Sequence, residues 1–234
     1  MNHTTVIAID GPSGSGKSTI AKSLAERLGT LYIDTGAMFR ALAYSADQSG
    51  VNIKEESSVN EFLNKIKLEY QTSDGALIKV DGIDLSEKIR EHHVSKLASM
   101  ISGIPSVRSY LLDFQRTLAK DHTCVMEGRD IGTVVFPNAF IKFFVTASIE
   151  VRAKRRLDQL NENGENSVEL EQVIKDVKKR DEKDTSREVA PLKMADDATL
   201  VDTSNMDIED VLSKLANDVN ERASKLNIVL GNNS

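Results

Sequence analysis

Cysteine is almost missing from this chain of 234 residues. The single thiol, Cys124, excludes an internal disulfide framework and fits a reducing compartment. It lies in the apolar stretch Thr123-Cys-Val-Met126 and is expected to be buried and inert. Histidine is scarce as well, and no His/Cys cluster has metal-ligand spacing. The adjacent His92 and His93 would point two ways on a helix, a poor arrangement for a metal. No covalent-nucleophile constellation is present, and there is no internal repeat or low-complexity linker. Long apolar runs are lacking too: residues 131–147 come closest, but Pro137, Asn138 and Lys142 interrupt them, so no membrane span is expected. The net charge of −6 argues against general nucleic-acid affinity. Residues 1–5 are too short and polar for a secretory leader ahead of the first strand, so a cytoplasmic location is expected.

What the chain does have is a phosphate loop. Gly11, Pro12, Ser13, Gly14, Ser15, Gly16, Lys17 and Ser18 complete G-x-x-x-x-G-K-[ST] directly after the apolar run at 5–9. The glycines let successive N–H groups turn inward around a phosphate. Lys17 can reach the outer phosphates, and the Ser18 hydroxyl can coordinate Mg²⁺. From Thr19 onward, Ile20, Ala21, Leu24, Ala25 and Leu28 recur at helical spacing, and Gly29 is placed to stop the helix. The loop therefore opens a helix whose positive end faces the anion. Donor-side contacts are expected from residues 11–19, with a nucleoside triphosphate and Mg²⁺ as the ligands they imply.

The remaining elements alternate. Strand-like runs at 31–33, 123–126, 140–145 and 198–202 interleave with helical patterns at 41–46, 91–102, 106–120, 148–160, 168–184 and 208–226. Residues after Leu226 are expected to fray. Three short strand-like pieces, 68–70, 76–80 and 83–85, are separated by the turn signals Ser73-Asp-Gly75 and Asp81-Gly82. The fold class expected is α/β, a doubly wound, mostly parallel sheet of the P-loop NTPase type. It carries a small antiparallel β-rich insert and a helical lid. One domain is expected over residues 1–234, with the insert at about 35–120 and the lid at about 152–188.

Half of the 12 arginines (129, 152, 155, 156, 180 and 187) fall within one quarter of an acidic chain, which points to a small polyanion. Arg152, Arg155 and Arg156 share one helical face, where they would suit a lid over the ATP phosphates. A GTP-binding switch would need N-K-x-D, which does not occur. The residues alone leave open which acceptor a kinase would use: a cytidine, uridine or adenosine monophosphate, or a non-nucleotide.

Four segments resemble the bacterial cytidylate kinases along nearly the whole chain. They are the phosphate loop, Asp34-Thr-Gly-Ala-Met-Phe-Arg40, Glu127-Gly-Arg-Asp-Ile-Gly-Thr-Val-Val-Phe-Pro137 and Arg180-Asp-Glu-Lys-Asp-Thr-Ser-Arg-Glu-Val-Ala-Pro-Leu192. The last two are far more specific than the first. The resemblance implies an ATP-dependent CMP and dCMP kinase, a monomer. It implies Arg40 and Arg129 as clamps on the acceptor phosphate, joined by Arg187 when the site closes, with Thr35 donating to a phosphate oxygen. It further implies Ser99, Arg108 and Asp130 at the base edge, Arg180 and Asp184 at the ribose, and Arg156 on the donor side. The chain departs from relatives at Glu127, where aspartate is common, and at Lys183 and Thr185, where arginine is common.

Overall fold

β1 (Thr5–Asp10) is buried along its whole length, as a strand covered on both faces must be. It pairs in parallel with β6 (Thr123–Gly128) on one side and β7 (Ile141–Thr146) on the other. β2 (Leu31–Asp34) adds in parallel beyond β6 and β8 (Thr199–Asp202) beyond β7, giving the order β2-β6-β1-β7-β8. The direction of winding reverses beside β1, so the carboxyl ends of β1 and its neighbours border the crevice where such sheets bind ligands. Residues 4–162, 164 and 168–230 are described by this computed structural model. By their contacts they fall into two units, Met1–Asp34 with Arg116–Ser234, and Thr35–Gln115.

In the first unit, α1 (Lys17–Leu28) and α8 (Ile208–Leu226) pack together over the sheet. Ile20, Leu24, Val211, Leu215 and Val219 meet Ile7, Ile9, Val125 and Phe143 there. Gly29 ends α1 in the left-handed region, its N–H reaching the carbonyls of Ala25 and Glu26, as the sequence suggested. Asp207 caps α8 by accepting from the Asp210 N–H at 2.8 Å. Leu230 packs against this core, so residues 227–230 are anchored at their far end rather than frayed. Cys124 is fully buried, and burial pushes its thiol up to about 12, which keeps it inert.

α6 (Ile149–Glu162) and α7 (Leu170–Thr185) pack through Ala153, Leu160, Val173 and Val177. Leu170, the first residue of α7, is 38% exposed and stands outside that packing. The Ser148 hydroxyl accepts from the Val151 N–H at the start of α6. Between the helical patterns expected at 148–160 and 168–184, residues 163 and 165–167 lie outside the described residues.

The second unit holds α2 (Thr35–Gln48), α3 (Glu56–Lys65), α4 (His92–Ile101) and most of α5 (Pro105–Ala119). It also holds an antiparallel sheet of β3 (Leu68–Tyr70), β4 (Ile78–Val80) and β5 (Ile83–Asp84). Asp81 and Gly82 both take positive φ, 52° and 78°, as the tight turn between β4 and β5 requires. Two differences from the sequence reading appear. α2 begins at Thr35, six residues early, because Ala37, Met38, Ala41 and Leu42 bury one continuous face. α3 was not expected.

Candidate active site

The phosphate loop leaves β1 with almost no room. At Gly11 a Cβ would stand 2.0 Å from the Val145 carbonyl oxygen. At Gly14, φ +77°, it would stand 2.9 Å from the Arg152 carbonyl oxygen. The loop's own carbonyls are taken up from outside. Arg152 Nη1 donates to Ser13 O at 3.3 Å, and Arg155 Nη1 donates to Ser15 O at 3.2 Å. The Thr203 hydroxyl also donates to Ser15 O, at 3.1 Å. Groups that would repel an anion are thus committed elsewhere. Two of the three arginines read from the sequence as covering the phosphates therefore brace the loop instead. Arg156 donates to Gln159 Oε1 along its own helix, at 3.4 Å. Ser18 and Thr19 are exposed at the start of α1.

Lys17 is buried, with Nζ 3.3 Å from Pro12 O and 4.0 Å from Glu127 Oε2. Burial and then the neighbouring Arg129 pull its pKa well below the usual lysine value; Glu127 opposes this, and Arg180 adds to the fall. Two guanidiniums acting on one desolvated ammonium make a place suited to a polyanion.

Arg129 and Asp130 follow β6. Asp130 is buried, and its carbonyl accepts from the N–H groups of Val134 and Val135, at 2.9 and 3.1 Å, opening a single π-helical turn over Ile131–Val135. Asp10, at the end of β1, holds that turn from below: its carboxylate accepts from Ile131 N and Gly132 N, each at 2.8 Å. Arg129 Nε donates to Asp184 Oδ2 at 3.0 Å, and Arg187 Nη1 lies 4.0 Å from Asp184 Oδ1. Burial works to raise the Asp184 carboxyl, but Arg129, Arg180 and Arg187 together hold it below the ordinary carboxylate value. Arg129, Arg180, Asp184 and Arg187 thus form one cluster where α7 meets the loop after β6. Thr185 closes α7 by donating to Asp181 O at 2.8 Å, and Lys183 is exposed.

The other four expected residues belong to the second unit. Thr35 is the buried first residue of α2, with Arg40 in the same helix and Ser99 on α4. Arg108, on α5, donates to Ser102 O at 2.9 Å, and its guanidinium lies 5.5 Å from the Phe39 ring centroid. Phe39 was not singled out in the sequence.

The cytidylate kinase family model matches residues 7–221. This chain belongs to the cytidylate kinase family. It is 46% identical to a cytidylate kinase of Geobacillus sp. (strain WCH70), over 95% of this chain and 99% of that protein. It is 44% identical to a cytidylate kinase of Geobacter sulfurreducens, over 93% of each. Among solved structures, an uncharacterized protein from Eubacterium ventriosum covers 92% of this chain at 13% identity, with a TM-score of 0.51, a likeness of fold alone.

In this member of the family, Glu127 is the residue that sequence reasoning undervalued. It is buried on β6 opposite Asp34 of β2, hydrogen-bonded by Tyr32 Oη at 2.7 Å and by the Ser18 hydroxyl. Burial and then Asp34 push its carboxyl up, against the pull of Lys17. The available signal was its place: an acidic residue one position before the end of the strand beside the phosphate-loop strand.

Proposed function

We infer that this chain transfers the γ-phosphoryl group of ATP to CMP and dCMP, giving ADP with CDP or dCDP, as one kinase domain. The observation that carries this reading is the convergence of Arg129 and Arg180 on the buried Lys17, whose pKa both of them lower. ATP and a nucleoside monophosphate repel through their reacting oxygens, so the protein's task is to supply cations, alignment and a dry site. Residues 11–19 hold the triphosphate, with Lys17 on its outer phosphates and Arg156 on the donor side. Arg40, Arg129 and Arg187 clamp the phosphates in transit, and Thr35 donates to the acceptor phosphate. Arg180 and Asp184 take the ribose.

Ser99, Arg108 and Asp130 select the base. Cytosine offers an amino donor beside two acceptors, which a carboxylate, a hydroxyl and a guanidinium satisfy together. Uracil reverses that pattern in part and would leave buried groups unpaired, a costly outcome.

Among the described residues no three His, Cys, Asp or Glu side chains gather as a metal-holding group. Mg²⁺ nonetheless fits here, since it is ordinarily held by one or two protein oxygens plus phosphates and water. The Ser18 hydroxyl would hold it, with Glu127 close by through its bond to Ser18. The ion would neutralise charge on the transferring phosphates. Among the described residues no helix is long and apolar enough to cross a membrane. We place the enzyme in the cytoplasm as a monomer, with no nucleic-acid partner.

Incubation with γ-labelled ATP, Mg²⁺ and CMP tests the transfer. The label should appear in CDP, with little free phosphate. Label appearing only as inorganic phosphate would contradict direct transfer.

A further inference from the structure

One buried guanidinium joins the phosphate loop to the acceptor cluster, and the chemistry above gives it no part. Arg152, with 6% of its side chain exposed, lies in α6. Its Nε donates to Ala147 O at 2.9 Å, and its Nη1 to Ser13 O at 3.3 Å. The same Nη1 lies 2.6 Å from Asp181 Oδ2 on α7. Asp184, one turn further along α7, accepts from Arg129 at 3.0 Å. α7 therefore holds Arg152, and through it the Ser13 carbonyl of the phosphate loop, with Asp181, and holds Arg129 with Asp184. The loop and α6 are also in close backbone contact, since a Cβ on Gly14 would stand 3.2 Å from Arg152 Cβ. Asp181 Oδ1 is buried without a hydrogen-bond partner among the described residues, so the aspartate's polar anchorage there comes through Oδ2.

We propose that the Arg152–Asp181 pair is a positioning device that couples the phosphate loop to the acceptor-binding helix, so that nucleotide at one site strengthens binding at the other. The proposal rests on the donor and acceptor assignments above. A loop ordered around a triphosphate fixes the Ser13 carbonyl and hence the Arg152 fork. The fork fixes Asp181 and with it the pitch of α7, which carries Arg180 and Asp184. Linkage makes the effect reciprocal. The guanidinium frame holds Ala147 O through Nε while Nη1 faces Ser13 O and Asp181, a spread of donors that the point charge of a lysine does not reproduce.

Calorimetric titration of CMP into the full chain, with and without a saturating non-hydrolysable ATP analogue and Mg²⁺, reads the coupling as a ratio of two Kd values. The wild-type ratio should be at least about fivefold. Asp181→Asn and Arg152→Lys should bring it close to one, while CMP alone binds within about twofold of wild type. Asp181→Glu should restore part of the ratio. Asp181→Asn leaves both carbonyl bonds of Arg152 available, so it decides the matter if Arg152→Lys does not fold. An unchanged ratio in folded Asp181→Asn overturns the proposal, as does a wild-type ratio of one in an enzyme that turns over CMP. A wild-type chain with no CMP-dependent turnover overturns the functional reading beneath it instead.

Discussion

Asp10 gives the sharpest physical prediction. The residue is 4% exposed, and its carboxyl group accepts two backbone N–H groups from the turn after Arg129 and Asp130, both at 2.8 Å. Burial raises its pKa, the N–H bonds from Gly132 and Ile131 oppose this, Asp130 adds to the rise and Arg129 subtracts. The result is about 7, against an ordinary 3.8. The folded chain therefore keeps this proton up to about pH 7, while the unfolded chain releases it near 3.8. Between those values the folded state binds more protons, so the contribution to stability falls as pH rises through the window. From pH 5 to pH 8 the loss is about 3 kcal/mol. Asp10→Asn cannot titrate, and every other group is common to both proteins. The stability advantage of wild type over the variant should therefore shrink by about 3 kcal/mol across that range. Urea unfolding of both proteins at four pH values measures it. A gap that stays constant with pH would mean that Asp10 is ionised throughout, its two N–H bonds overcoming burial.

Gly11→Ala places a methyl 2.0 Å from the Val145 carbonyl oxygen, so the loop must part from β7. A loss of more than about 3 kcal/mol, or no folded protein, is expected, and a variant with wild-type Tm would contradict the packing described. Lys17→Ala should lower kcat by about three orders of magnitude. Because Lys17 is desolvated beside Arg129 and Arg180, its removal should leave Tm unchanged or raised. Arg40→Ala should cost several kcal/mol in kcat/KM, and normal kcat/KM would remove Arg40 from the clamp. Asp130→Ala should mainly raise the KM for CMP and relax discrimination against UMP; unchanged CMP kinetics would remove Asp130 from the base edge.

Much of this fold is local and could be read directly. The run at 5–9, the glycines of the loop, the helical spacing from Ile20 to Leu28 and the Gly29 stop each act on their own neighbours. So do Asp81 and Gly82, whose positive φ values are a property of the turn itself. α3 could have been read from Val59, Phe62 and Leu63, yet Ser57, Ser58 and Asn60 dilute its helix propensity. The π-helical turn had no such signal. It has no sequence period and depends on Asp10, a carboxylate 121 residues away from Ile131. The lid arginines show the same limit. Spacing put Arg152 and Arg155 correctly on one helical face, but only the tertiary structure shows that face meeting the carbonyls of Ser13 and Ser15. Glu127 was visible as an acidic residue, while its bond to Tyr32 depends on the pairing of β2 with β6.

The most direct test of the central claim is an acceptor panel. ADP release from ATP and Mg²⁺ would be followed with CMP, dCMP, UMP, AMP, GMP and shikimate in turn. Rapid turnover with CMP and dCMP, and weak turnover with UMP, is the predicted result. Turnover favouring another acceptor would keep the phosphoryl transfer and discard the cytosine pocket, and ADP release that no acceptor stimulates would contradict the account as a whole.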